Sequence, residues 1–117
     1  VKFVHVTVPL LRKEKTTIKG YIKKILGRSG GFFDDSHNMK RNQYNELLRK
    51  EYTGKEPVFD LASIQATRQE GTHEVFTAGG ESYYALTPEY TDDGGHLNIL
   101  GRRVVAEQLL IFLARLD

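Results

Sequence analysis

The chain of 117 residues has no cysteine, no tryptophan, one methionine and three prolines. The lack of cysteine excludes disulfides, thiolate metal sites and a thiol nucleophile. No apolar run reaches the roughly 18 residues that a membrane span needs, so no span is expected. No signal-peptide pattern opens the sequence; it begins directly on a strand-like run, as though in the middle of a fold. Charge of one sign is not in excess overall, because the formal net charge is only +2.

What is present fits one globular domain, with 39% hydrophobic and 27% charged residues. The charge is unevenly spread. Residues 1–55 carry 13 Lys+Arg and 5 Asp+Glu, net +8; residues 56–117 carry 4 and 10, net −6. No nucleic-acid motif accompanies the lysines, so two solvated faces are expected and no nucleic-acid partner.

"VKFVHVTVPL", residues 1–10, is rich in β-branched residues and apolar on both faces, which predicts a buried, central parallel strand ended by Pro9. "TTIKGYIKKILG" predicts a helix, with Thr16 or Thr17 as cap, Ile18, Ile22 and Ile25 on one face and Gly27 as its stop. "HNMKRNQYNELLRKEYTG" predicts a second helix, with Tyr44, Leu47 and Leu48 inward and Gly54 beyond its end. "PVFDLA", 57–62, is a short strand ending at Asp60. From there to Tyr90 the periodicity is weak and a long loop is expected, with one helical turn near 62–68. From Leu97 to Leu116, Val105, Leu109, Phe112 and Leu116 make an amphipathic helix expected to pack on a sheet. Strands alternating with helices predict an α/β fold with a parallel sheet. Two strands are too few for such a sheet, so another chain or further polypeptide is expected to complete it.

"YTDDGGHLN", 90–98, places Asp93 three residues before His96 across two glycines. The carboxylate can hold Nδ1–H of the imidazole and leave Nε2 as a general base. The plainer alternative is a helix cap, Asp92 or Asp93, beside a surface histidine.

Two serines compete for the role of nucleophile. "GRSGG", 27–31, spells G-x-S-x-G, but a nucleophile elbow needs a strand before the serine and a helix after it. Ser29 follows a helix, so a linker explains it better. Ser36 in "DDS", 34–36, is well placed to cap the next helix. His5, His37, His73, His96, Asp92 and Asp93 are metal-ligand types without helix-face spacing. No metal or cofactor is therefore expected. Tyr83, Tyr84 and Tyr90 could line a pocket or simply pack. Asp60 could face a pocket at the carboxyl edge of the sheet or cap the next turn.

"VFDLASIQATRQEG" and "YYALTPEYTDDGGHLNILGRRVVAEQLLIFLARL" together resemble the C-terminal part of bacterial SGNH hydrolases, the GDSL-type esterases. That family carries its acid and base in a D-x-x-H motif, commonly followed by L-N and a glycine. Asp93 and His96 match it, with Leu97, Asn98 and Gly101 behind them. The opening strand and "KRNQYNELLR" also look like the family's later elements, so the resemblance covers nearly the whole chain; 90–106 is its most specific part. It implies a flavodoxin-like, three-layer α/β/α domain, of which this chain is an incomplete C-terminal portion. It implies a serine ester hydrolase acting on a small acyl ester or an O-acetylated carbohydrate. Asp93 would orient His96, and His96 would activate a serine. The family's serine lies in a G-D-S block of its N-terminal half, and its oxyanion donors precede the equivalent of Val1. Neither is found here at the expected place, so the chain alone is expected to be inactive. The alternative is a non-catalytic binding or interaction module.

Overall fold

A computed structural model describes residues 1–15, 18–27 and 34–116. Among these, β1 (His5–Val6) is followed by α1 (Ile18–Ile25), α2 (Asp35–Tyr52), β2 (Val58–Phe59) and α3 (Leu61–Ala66). A hairpin of β3 (Val75–Ala78) and β4 (Glu81–Tyr84), a 3-10 turn (Pro88–Tyr90) and α4 (Ile99–Ala114) complete the order. The fold is mixed α/β, built on a small parallel pair.

β1 and β2 pair in parallel, His5 beside Val58 and Val6 beside Phe59. The expected strand is therefore present, but it is not buried on both faces. Val6, in β1, and Phe3, just before it, are exposed. The core lies beyond the carboxyl ends of this pair. Leu10, Ala62, Ala66, Leu86 and Tyr90 form it, with Leu97, Leu100 and Val104 packed against it.

α2 departs from its expected face. Tyr44 and Leu47 are exposed, whereas Asn38 and Asn45 are buried. Asn45 takes the N–H of Val8 on Oδ1 at 2.6 Å and gives Nδ2–H to its carbonyl at 2.9 Å. Asn38 does the same for Leu11, at 2.8 and 2.6 Å, and Asn42 for Tyr84, at 2.9 Å both ways. A helix has no lateral backbone groups to offer, so the three amides act in their place. The cap of α2 is Asp34, whose carboxylate accepts Ser36 N–H; Ser36 sits inside the first turn and is not the cap.

The region expected as a long loop contains the hairpin. Gly79 and Gly80 both have positive φ, 58° and 79°, as a two-residue hairpin turn of the primed type requires. Glu74, buried just before β3, is held by Lys13 at 2.9 Å and by Arg68. α3 and α4 agree with expectation in place, but α4 packs mainly on α3 and the 3-10 turn rather than on a sheet. Gly27, with φ 67°, follows the end of α1; the expected caps Thr16 and Thr17 lie outside the described residues.

Candidate active site

The turn from Thr91 to Leu97 joins the 3-10 turn to α4, and it is tied shut at its base. Asn98 gives its N–H to the carbonyl of Tyr90 at 2.8 Å. The Asn98 side chain caps α4 by accepting Gly101 N–H at 2.9 Å, and its Nδ2 donates to the carbonyl of Glu89 at 3.0 Å. Tyr90 is buried and donates its hydroxyl to the carbonyl of Thr67 at 2.8 Å. Burial, together with the charge of Glu89, pushes that phenol upward. Gly101 lets α4 close on this base: a Cβ there would stand 2.6 Å from the carbonyl oxygen of Tyr90. Leu97 packs into the core.

On this base the turn presents Asp93 and His96. Asp93 Oδ1 accepts the N–H of Gly95 and of His96, both at 2.8 Å. Its Oδ2 stands 2.7 Å from Nδ1 of His96. The two backbone donors and the ring N–H hold the carboxylate far below its ordinary range. With Nδ1–H given to Asp93, the neutral imidazole keeps its free electron pair on Nε2. The ring is 90% exposed, and among the described residues Nε2 has no partner. An imidazole held in this way can take a proton from a donor that reaches Nε2.

Thr91, which the sequence did not single out, shapes the turn. Its hydroxyl accepts Gly94 N–H at 2.8 Å and donates to the carbonyl of His96 at 2.7 Å, bridging the two ends of the Gly-Gly step. A threonine preceding an Asp-Asp-Gly-Gly turn is the only signal that could have pointed to it. Gly94 has φ 90°, and a Cβ there would stand 2.5 Å from Cδ of Arg12. Arg12 also gives its backbone N–H to the Gly94 carbonyl at 2.9 Å. The turn thus rests on the chain that leaves the carboxyl end of β1, the side on which open parallel sheets bind ligands.

The other candidates are dispersed. Asp60 caps α3, accepting Ser63 N–H at 3.2 Å, and pairs with Arg49. Tyr90 is in the core, while Tyr83 and Tyr84 line an open cleft of about 1120 Å³ between α2 and the hairpin, which neither Asp93 nor His96 touches. His5 stacks on Tyr52 and bonds Glu56, and His73 bonds Thr67. Among the described residues no three His, Cys, Asp or Glu side chains gather to hold a metal ion. Ser29 lies outside the described residues. Comparisons with protein-family models, curated proteins and solved structures find no match.

Proposed function

We propose that this chain supplies the acid and base of a serine ester hydrolase of the SGNH type. The observation that carries the reading is the Asp93–His96 pair: 2.7 Å between Oδ2 and Nδ1, with Nε2 open to solvent. The serine and the oxyanion donors come from polypeptide outside residues 1–117, which also extends the two-stranded parallel pair into a sheet.

The reaction then runs in two halves. Nε2 of His96 takes the serine proton as the oxygen attacks the ester carbonyl. Asp93 stabilises the imidazolium that forms. The imidazolium returns the proton to the departing alcohol, leaving an acyl-serine. His96 next deprotonates water, which attacks the acyl-serine, and the imidazolium returns that proton to the serine oxygen as the acid is released. The substrate is a small acyl ester or an O-acetylated carbohydrate.

The test is complementation. Residues 1–117 alone give no esterase activity above background. Co-expression with a segment holding a strand followed by G-D-S gives activity, and His96→Ala removes it by a factor on the order of 10⁴ or more. Activity of the chain alone that depends on Ser29 overturns the proposal. A second reading, a binding module, has one observation in its favour: Oδ1 of Asp93 already closes the turn, so the aspartate has a structural job without catalysis. A fluorophosphonate probe separates the two, since only an activated serine is labelled.

A further inference from the structure

α1 presents an apolar stripe to solvent. Ile18 is 83% exposed, Ile25 69% and Leu26 65%; Tyr21 and Ile22 are exposed beside them. At about 100° per residue these five positions fall within one sector of the helix. None of them belongs to the core cluster. The sequence interleaves the stripe with lysine: Lys19, Lys23 and Lys24 alternate with the apolar residues of α1. From Arg12 to Arg28, both included, the sequence has seven Lys and Arg and one acid, Glu14. Lys13 is engaged with Glu74, whereas Lys15 and Lys19 are exposed.

We propose that α1 is a docking surface for an anionic lipid membrane, on which it lies flat. The charge decides between classes of partner. Lysine is depleted at protein–protein interfaces, while at a lipid surface lysines flanking an apolar stripe meet the phosphate headgroups as the stripe enters the acyl boundary. A tyrosine at the edge of the stripe suits the same boundary, with its ring apolar and its hydroxyl wet. The exposed apolar residues of α4, Ile99, Leu109, Leu110, Ile111 and Leu113, lie on a helix without lysine.

The fold delivers α1 from an anchored neck. Glu14 gives its N–H to Asp35 at 2.8 Å, and Leu11 is held by Asn38, so the chain leaves and returns at one place. Arg12, beside this neck, bonds Gly94 of the Asp93–His96 turn. A membrane-bound α1 therefore keeps that turn at the foot of the bound segment. The docking surface stands independently of the esterase proposal.

The experiment is co-sedimentation of the chain with vesicles of phosphatidylcholine alone, or with about one third phosphatidylglycerol, at low and high salt. Expected is binding to the anionic vesicles at least tenfold tighter than to the neutral ones, weakened by salt. Ile22→Asp with Ile25→Asp, and separately Lys15→Glu with Lys19→Glu, each lower it at least tenfold with unchanged circular dichroism. Soluble glycerol phosphate does not compete, because a free phosphate offers nothing to the stripe. Equal binding to both vesicle types, no binding by the unaltered chain, or competition by glycerol phosphate overturns the proposal. So does a change of mass in light scattering on Ile22→Asp and Ile25→Asp without a change in vesicle binding, which would give the stripe to a protein contact.

Discussion

The guanidinium of Arg49 grips the carboxylate of Asp60 at two points, Nε to Oδ2 at 2.7 Å and Nη2 to Oδ1 at 2.9 Å. One residue lies on α2 and the other caps α3, so the pair ties two helices across the end of β2. Thr7 adds a hydrogen bond to Oδ1 at 3.1 Å from the carboxyl end of β1. Burial alone would raise this carboxyl. The hydrogen bonds from Arg49, Ser63 and Thr7, with the Arg49 charge, outweigh it and lower it. Asp60→Ala should therefore destabilise the chain by about 2–3 kcal/mol, read from the urea midpoint. Arg49→Lys should recover less than half of that pair, because an ammonium cannot make the fork.

Asn38→Leu keeps the volume but strips the Leu11 N–H of its acceptor and the Leu11 carbonyl of one of its two donors, the Leu86 N–H remaining. A buried N–H is then left unpaired, and a loss of about 1–3 kcal/mol is expected. Hydrogen exchange checks the mechanism: the Leu11 amide should lose protection while the Leu86 amide, which donates to the Leu11 carbonyl, keeps more of its own.

Asp93 should remain ionised at about pH 3, where an ordinary exposed aspartate is mostly protonated. Its folded-state value is depressed, so its contribution to the turn is complete above the unfolded carboxylate value, near 4, and is lost as pH falls through the folded one. Carboxyl-carbon NMR titration measures this. Asp93→Asn should abolish the depressed titration and, in the complemented enzyme, lower activity by about 10⁴-fold, as the wrong imidazole tautomer would.

Gly101→Ala should lower stability by at least about 2 kcal/mol, because the new methyl meets the backbone of Tyr90, which cannot step aside as a side chain can. Gly94→Ala should cost about 1–3 kcal/mol for its positive φ. Adding Arg12→Ala to it should restore only the steric share. Thermal denaturation of the single and double variants separates the two contributions.

The helices and the parallel pair were legible because each carries its own signal: apolar spacing in α4, β-branched residues around β1, a glycine after α1. The Asp93–His96 pair was legible for a similar reason, since three residues of turn fix both members. The buried face of α2 was not. Apolar periodicity locates apolar contacts, and what α2 meets is the peptide backbone of residues 8–12 and of Tyr84, so its inward residues are asparagines. The hairpin was missed although its Gly-Gly turn stands between alternating runs, because Val75 and Glu81 to Tyr84 bury too little to read as a core strand. Leu97, Asn98 and Gly101 entered as companions of the Asp93–His96 pair. In the structure they are the footing of the turn: one packs, one caps, one makes room.

Asn45 has a consequence for how the sheet can grow. His5 and Thr7 give their N–H groups to β2, at 2.9 and 3.2 Å, so by strand alternation Val6 and Val8 aim theirs at the opposite edge. Asn45 occupies both groups of Val8, whereas among the described residues those of Val6 have no partner. A strand added beside β1, from whatever source, must stop short of Val8. A single amide on a helix thus sets the length of the seam and keeps the rest of the edge from recruiting stray β-structure.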